Sequence, residues 1–499
     1  MTLETMTLIW IALPFLIGFS IYLLPQLARI LALAMALVSM GYGLASLSSS
    51  SMMTLQLLDS FGVTLQVDAL GGYFVLTNAV VTAAVLLYCW SSQKGGFFYA
   101  QLMVLHGSVN AVFICADFIS LYVALEVIAV ASFLLMTYAR SDRAIWVGLR
   151  YLFVSNTAML FYLMGAVLLY RASGSFAFSS LAEATPEALA LLCLGLLTKG
   201  GVFVSGLWLP LTHSEAETPV SAMLSGVVVK TGVFPLLRCG LMFPELQPPL
   251  AGLGMATALL GVGYALVERD TKRMLALSTI SQMGFLLVAP VAAGFYALTH
   301  GLAKASLFLL AGNLPSRDLR RLREQPGVAR SLWGGMAIAA LSVAGCPLLA
   351  GYGAKTLTMA QLGGPSWWLM TLAAVGTTLV CAKLIFLPIL PISSMGPGAP
   401  PDGERQEPLK LGLKAALGVT LGGLVLANGF SLELYNPDDL IKALMVLGVG
   451  GLLYGLGGCR VLVKLPRGPE QFENLIGAMG IVVVLLFSVF LSLPNGWGV

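Results

Sequence analysis

Apolar residues in this chain fall into long unbroken runs, separated by short polar punctuation. A run of about 20 apolar residues crosses a bilayer core of roughly 30 Å as a helix. On that criterion the pattern predicts sixteen spans: 6–24, 28–48, 69–91, 97–115, 118–138, 145–170, 187–210, 219–242, 249–267, 273–291, 293–314, 332–362, 367–393, 411–431, 438–458 and 472–492. The sizeable polar gaps are 171–186, 316–331 and the Pro/Gly/acid-rich 394–410, so no separate soluble domain is expected.

Composition agrees with this pattern. The 499 residues are 58% hydrophobic and only 10% charged, where soluble proteins run near 25% charged. The mean hydropathy of +0.90 requires most apolar surface to face lipid or other apolar helices. The expected fold class is therefore an all-α polytopic membrane protein. A net charge of +4 is too small to imply a nucleic-acid partner. The seven cysteines never approach CxxC spacing, so no iron-sulfur, zinc or haem site and no cofactor is expected. Glu4 and the lack of a basic n-region argue against a cleaved signal peptide. Basic residues cluster after odd-numbered spans: Arg29, Lys94, Arg140, Arg143, Arg269, Lys272, Arg273, the run Arg317, Arg320, Arg321, Arg323 and Arg330, then Arg405, Lys410, Arg460, Lys464 and Arg467. The positive-inside rule then predicts both termini on the non-cytoplasmic side, with 316–331 lying on the cytoplasmic surface.

Against this background the ionisable residues inside spans stand out. Glu126 lies in LYVALEVIAVASFLLM, Lys199 in LLCLGLLTKGGVFVSGLWLP, Lys230 in MLSGVVVKTGVFPLLR, His300 and Lys304 in ALTHGLAKASLFLLAG, and Lys355 in PLLAGYGAKTLTMAQL. A charge at a helix centre costs roughly 2.5 to 3.5 kcal/mol on insertion scales, so pairing, neutralisation or internal water must offset it. Groups so placed can be switched by a neighbouring charge, which is what a proton relay requires. His300 and Lys304 share one helical face. Lys383 and Arg150, nearer helix ends, read as snorkelling residues. His106 reads equally as a satisfied packing histidine. Asp68 and Asp117 read as cap or interface residues. His213, Glu215 and Glu217 form either a proton entrance or a solvated turn.

Two spans carry interruptions. Lys199 is followed by Gly200, Gly201, Gly206 and Pro210, while Gly345, Pro347, Gly351 and Gly353 precede Lys355. Such breaks are tolerated at membrane depth only where they line a cavity or pack in protein, and they otherwise serve close helix packing. Paired breaks in corresponding positions point to a transport site built from inverted repeats. The two broken spans are five apart, hence opposite in direction, so spans 4–8 and 9–13 are expected to be inverted copies. This divides the chain into N-terminal helices 1–96, a first repeat 97–242, a second repeat 249–393 and C-terminal helices 394–499.

LLTKGGVFVSGLWLPLTHSEAETPVSAMLSGVVVKTGVFPLLR, ERDTKRMLALSTISQMGFLLV and HGLAKASLFLLAGNL resemble the antiporter-like membrane subunits shared by complex I, group 4 hydrogenases and Mrp-type cation/proton antiporters, over roughly residues 60–395. The resemblance implies a fourteen-helix core with two inverted five-helix repeats and discontinuous seventh and twelfth helices. The two spans after residue 437 are additional to that core. It further implies that Glu126 pairs with Lys199, that Lys230 links the entrance to the centre, that His300 and Lys304 continue the axis, and that Lys355 is the terminal group. The HSEAETPVSAMLSGVVVKTGVF run and the lack of an Asp before His213 resemble Mrp D-type or hydrogenase-type subunits.

The expected function is that of a proton-translocating subunit of a multisubunit complex, most closely an Mrp-type antiporter, moving H⁺ and with Na⁺ or K⁺ as the candidate counter-cation. The alternative is a pumping subunit of a complex I-like oxidoreductase or membrane-bound hydrogenase. Other membrane subunits are the expected partners, and a prokaryotic plasma membrane or thylakoid membrane is the expected location. No nucleotide fingerprint, cluster ligand or flavin motif is present, so electron transfer would belong to partner subunits. A stand-alone carrier of an organic solute lacks an evident substrate pocket.

Overall fold

The computed structural model describes residues 3–49, 52–58, 62–324, 327–390, 409–457 and 467–492. Most of the polar gap 394–410, with Arg405, and residues Cys459, Arg460 and Lys464 lie outside them. Among the described residues twenty α-helices follow one another: α1 Leu3–Leu23, α2 Ala28–Ser48, α3 Ala69–Tyr88, α4 Gly96–Ile114, α5 Phe118–Met136, α6 Asp142–Ser173, α7 Pro186–Lys199, α8 Leu209–Glu215, α9 Thr218–Met223, α10 Lys230–Met242, α11 Gln247–Val267, α12 Thr271–Val288, α13 Ala293–Ala311, α14 Leu319–Glu324, α15 Arg330–Ala344, α16 Ala350–Ala360, α17 Gly364–Ile385, α18 Leu411–Asn428, α19 Pro437–Gly455 and α20 Phe472–Leu491. Each of the sixteen predicted spans is occupied by a helix or by a broken pair. Among the described residues, eleven helices are long and apolar enough to cross a membrane, or twelve when the bent pair Pro186–Lys199 and Val204–Glu215 counts as one. The protein is an all-α polytopic integral membrane protein, because in lipid each helix satisfies its own backbone polar groups.

Local sequence sets where the helices begin. The side chains of Asp68, Asp117, Ser141, Thr185, Asp270 and Asn436 accept from backbone amides of the first turns they precede. Proline occupies the first helical turn of α7, α8, α9, α11, α17 and α19, where its missing N–H costs nothing. Asp68 and Asp117 are thus the cap residues expected from sequence, and Asp68 also pairs with the buried Arg238 at 2.8 Å.

Burial sorts the helices into shells. Every residue of α12 and of α13 is buried, and so is the whole apolar window of the α9–α10 stretch. By contrast only 28% of the windows in α1 and α20 is buried, which leaves these helices an outward apolar face. The fully enclosed α13 carries His300 and Lys304, so the costliest residues sit at the centre.

The sequence reading passed over an antiparallel hairpin, β1 Met53–Leu58 with β2 Gly62–Val67, between the second and third spans. Its alternation of Thr54, Leu55, Gln56 and Thr64, Leu65, Gln66 is the period-two signal of strands, and it buries Leu55 and Leu65. Within the described part of 316–331, α14 is amphipathic, with Leu319 and Leu322 inward and Arg320, Arg321 and Arg323 exposed. The two helices beyond the expected core diverge: α19 packs against α17, and α20 packs against α7 and α6.

Candidate functional site

Both expected helix breaks are present. In the seventh span α7 ends at Lys199, and the chain turns through Gly201 (φ +64°) and Phe203 (φ +53°) before α8. In the twelfth, α15 ends at Gly345 (φ +87°), followed by Leu348 (φ +71°) and then α16. Each break therefore couples a glycine with a bulky residue in the left-handed region, a costly conformation held by surrounding packing. A third irregularity, a π turn at Leu224–Val228, precedes Lys230.

Each buried ammonium group finds a backbone carbonyl, at an irregularity for Lys230 and Lys355 and on a neighbouring unbroken helix for Lys199 and Lys304. Lys199 Nζ donates to Leu125 O at 3.0 Å, the carbonyl just before Glu126. Lys230 Nζ donates to Gly226 O within the π turn. Lys355 Nζ donates to Ala344 O at 3.0 Å, the last carbonyl of α15, and lies 5.4 Å from the centroid of Phe285. Lys304 Nζ donates to Leu275 O at 2.9 Å and to Ser278 Oγ. Among the described residues none of these four lysines has a carboxylate within 4 Å. Glu126 is half-buried, with Oε1 enclosed and unpartnered, and its charge reaches Lys199 without a direct contact.

The groups are clustered rather than evenly strung. His300 lies within electrostatic reach of Lys230 and Lys304, and both its ring nitrogens lack a hydrogen-bond partner. It shares with Lys355 a small cavity with room for about one water. Lys199 and Lys230 donate to carbonyls rather than to each other, although their helices touch through Gly200 and Gly232. Of the two entrance candidates, His213 is wholly buried, its ring 5.8 Å from that of Phe308 and within electrostatic reach of Lys304. Glu215 instead sits at the rim, 3.5 Å from Arg143, and Glu217 pairs with Lys94. The three do not form one solvated turn.

Some residues behave otherwise than their sequence context implied. Lys383 does not reach for water: its ammonium donates to Ala265 O, Leu266 O and Glu268 O, closing the otherwise unsatisfied end of α11. Arg150 likewise is buried and donates to Glu470 O. His106 is a satisfied packing histidine, bonded to Thr82, Ser39 and Asn110. Sequence reasoning missed Ser278 and Gln282, which support Lys304 and, through Tyr296, the wall of the His300 cavity. Their i, i+4 spacing within the apolar α12 was the available signal. Lys272, buried and donating to Ala216 O at 2.9 Å, gave none, since a base at a helix start reads as topology.

The protein resembles known proteins along most of its length. It is 28% identical over 432 residues to NADH-quinone oxidoreductase subunit N of Desulforudis audaxviator, covering 79% of this chain and 82% of that one. It is 26% identical over 332 residues to one of the subunits of the Na(+)/H(+) antiporter of Alkalihalophilus pseudofirmus, covering 59% and 66%. Its fold matches a chain of the Mrp complex from Dietzia sp. with a TM-score of 0.78 at 24% identity, covering 97% of this chain and 60% of that one. At that identity the likeness speaks for the fold. The family model described as NADH:quinone oxidoreductase/Mrp antiporter, transmembrane, matches residues 115–381, more than half of the chain and all six residues from Glu126 to Lys355; the chain belongs to that family.

Proposed function

We propose that this chain is the proton-translocating membrane subunit of a multisubunit complex, of the Mrp cation/proton antiporter type, working with other membrane subunits in a prokaryotic plasma membrane or a thylakoid membrane. The observation that carries the reading is the cluster of buried Lys230, His300 and Lys304, flanked by Lys199, the last residue of α7, and by Lys355 of α16, whose ammonium reaches back to the last carbonyl before the other helix break. Burying this many bases without carboxylate partners costs several kcal/mol and serves no packing purpose that Leu would not serve better.

In the proposed cycle a proton enters near Glu215 and His213 and is held on Lys199 while Glu126 is close, since opposite charges favour each other. When Glu126 moves away, the proton passes through internal water to Lys230, His300 and Lys304, and then to Lys355. The repeats 97–242 and 249–393 supply one broken helix each, and the similar left-handed turns at Gly201/Phe203 and Gly345/Leu348 support an inverted relation. The charge asymmetry of the loops supports both termini on the non-cytoplasmic side; a protease-cleavable C-terminal tag, probed in oriented vesicles, tests it.

The alignment over 82% of the oxidoreductase relative favours a second reading, a pumping subunit of a complex I-like assembly. Purification from the native membrane separates the two: antiporter subunits co-purify in the first case, hydrophilic subunits with flavin and iron-sulfur clusters in the second. For either, Glu126→Ala and Lys199→Ala abolish proton flux in proteoliposomes of the intact complex while assembly persists. Unchanged flux in either variant overturns the relay.

A further inference from the structure

The relay as proposed ends at Lys355, inside the protein, and a cavity lies beyond it. A cavity of about 110 Å³ lies between the twelfth-span break and α19, one of the two helices additional to the expected core. Its lining joins the buried Lys355 and Gly345 to the more exposed Asp439, Lys442 and Ala443 of α19. Its volume holds several waters. Lys355 thus faces two spaces, the small one shared with His300 and this larger one.

The side chains at the two ends suit a transfer. The aliphatic stem of Lys355 packs against Gly345, where any β-carbon would strike its Cδ, so the backbone gives way to the lysine. At the rim, Asp439 is partly exposed, its Oδ1 accepting from Lys442 Nζ at 2.8 Å and its Oδ2 from Asn436 Nδ2 at 2.7 Å. Beyond these first turns α19 is apolar up to Tyr454, whose hydroxyl accepts from Arg323 at the far end, so its charged groups sit where it meets the cavity. An exposed i, i+3 ion pair contributes little stability by itself, which makes its position over the cavity the more informative feature.

We infer that the cavity between α16 and α19 is the water-filled outlet of the relay, and that Asp439 is its terminal proton acceptor. The inference rests on the proposed function. The N–H bond of protonated Lys355 breaks as a water accepts the proton; a further water passes a proton to the Asp439 carboxylate, forming an O–H bond. That bond then breaks to bulk water, and Lys442 favours the return of Asp439 to its ionised form. No oxidation state changes.

The test uses the intact complex in oriented proteoliposomes, with a membrane-impermeant cationic thiosulfonate as probe. Ala443→Cys is expected to react above the parent chain from the side on which α19 begins, and the attached group to cut that variant's own flux at least roughly fivefold, about 1 kcal/mol in barrier. Val449→Cys, on the outward face of α19 and 49% exposed, is expected to resist the charged reagent and keep its flux. Asp439→Asn is expected to lower flux by a similar factor and Asp439→Glu to restore it. An unreactive Ala443→Cys, or a reactive one with full flux, overturns the outlet; full flux in Asp439→Asn overturns the role of that carboxylate. Failure of the relay reads differently, as undiminished flux in Lys199→Ala, and the labelling result then still decides whether water reaches the cavity.

Discussion

Replacing Glu470 by alanine is expected to loosen the last helix locally. Both carboxylate oxygens of Glu470 accept from Arg273 Nη2, at 2.6 and 2.8 Å, and the side chains are only 10% and 8% exposed. Removing one partner of a buried ion pair costs about 3–5 kcal/mol when the other is stranded. Here Arg273 keeps Glu268, 3.0 Å from its Nε, so the expected loss is about 2–3 kcal/mol, the range of a hydrogen bond to a charged group. Arg150 still holds the Glu470 carbonyl, so the effect is confined to the start of α20. Hydrogen exchange of residues 468–476 reads the opening equilibrium, and 2–3 kcal/mol corresponds to roughly 30- to 150-fold faster exchange. Glu470→Gln, which keeps the shape and one acceptor, is expected to fall between. The same cluster fixes a pH dependence. Burial opposes ionisation of Glu268, but donation from Arg273 and from the Asp270 and Arg269 amides outweighs it and holds the carboxyl below the usual range. Its contribution is therefore fully present above the unfolded value of about 4.3 and is lost as pH falls through the lower folded value. Exchange corrected for its intrinsic rate is thus flat from pH 8 to 6 and rises only below about pH 4. Exchange within threefold of the parent in Glu470→Ala would refute the claim that this pair docks the helix.

Ser278→Ala leaves Lys304 with Leu275 O as its remaining acceptor, and the lost charge-assisted bond is expected to slow proton flux roughly tenfold or more while assembly is kept, read in proteoliposomes. Gly351→Ala drives a β-carbon into the Ser342 carbonyl across the twelfth-span break; a cost of about 3 kcal/mol or more is expected as lost monodisperse complex on gel filtration. Lys383→Met strands the carbonyls of Ala265, Leu266 and Glu268 and is expected to lower thermal stability by about 1–3 kcal/mol with flux unchanged, which separates a capping lysine from a relay lysine.

What the sequence revealed and what it hid follow from one physical distinction. The cost of placing a charge or a helix break in lipid depends on the residue and its depth alone, so Lys230, Lys304 and the glycines around Lys199 and Lys355 were legible without any knowledge of neighbours. The use made of a charge depends on what faces it. Lys383 and Lys304 are both buried lysines donating to carbonyls, yet one closes a helix end and the other sits beside His213 and His300. Arg150 and Lys272 sit near helix ends, where snorkelling or topology explains them without a partner, and their partners Glu470 and Ala216 lie 320 and 56 residues away. The hairpin at 53–67 was overlooked for the opposite reason: its period-two signal is local and clear, but twenty-residue apolar runs on both sides set a scale at which six-residue strands read as linker. The cavity beside Lys355 is hidden most deeply, because it is a space, lined by Lys355 and Asp439 only once α16, α17 and α19 pack.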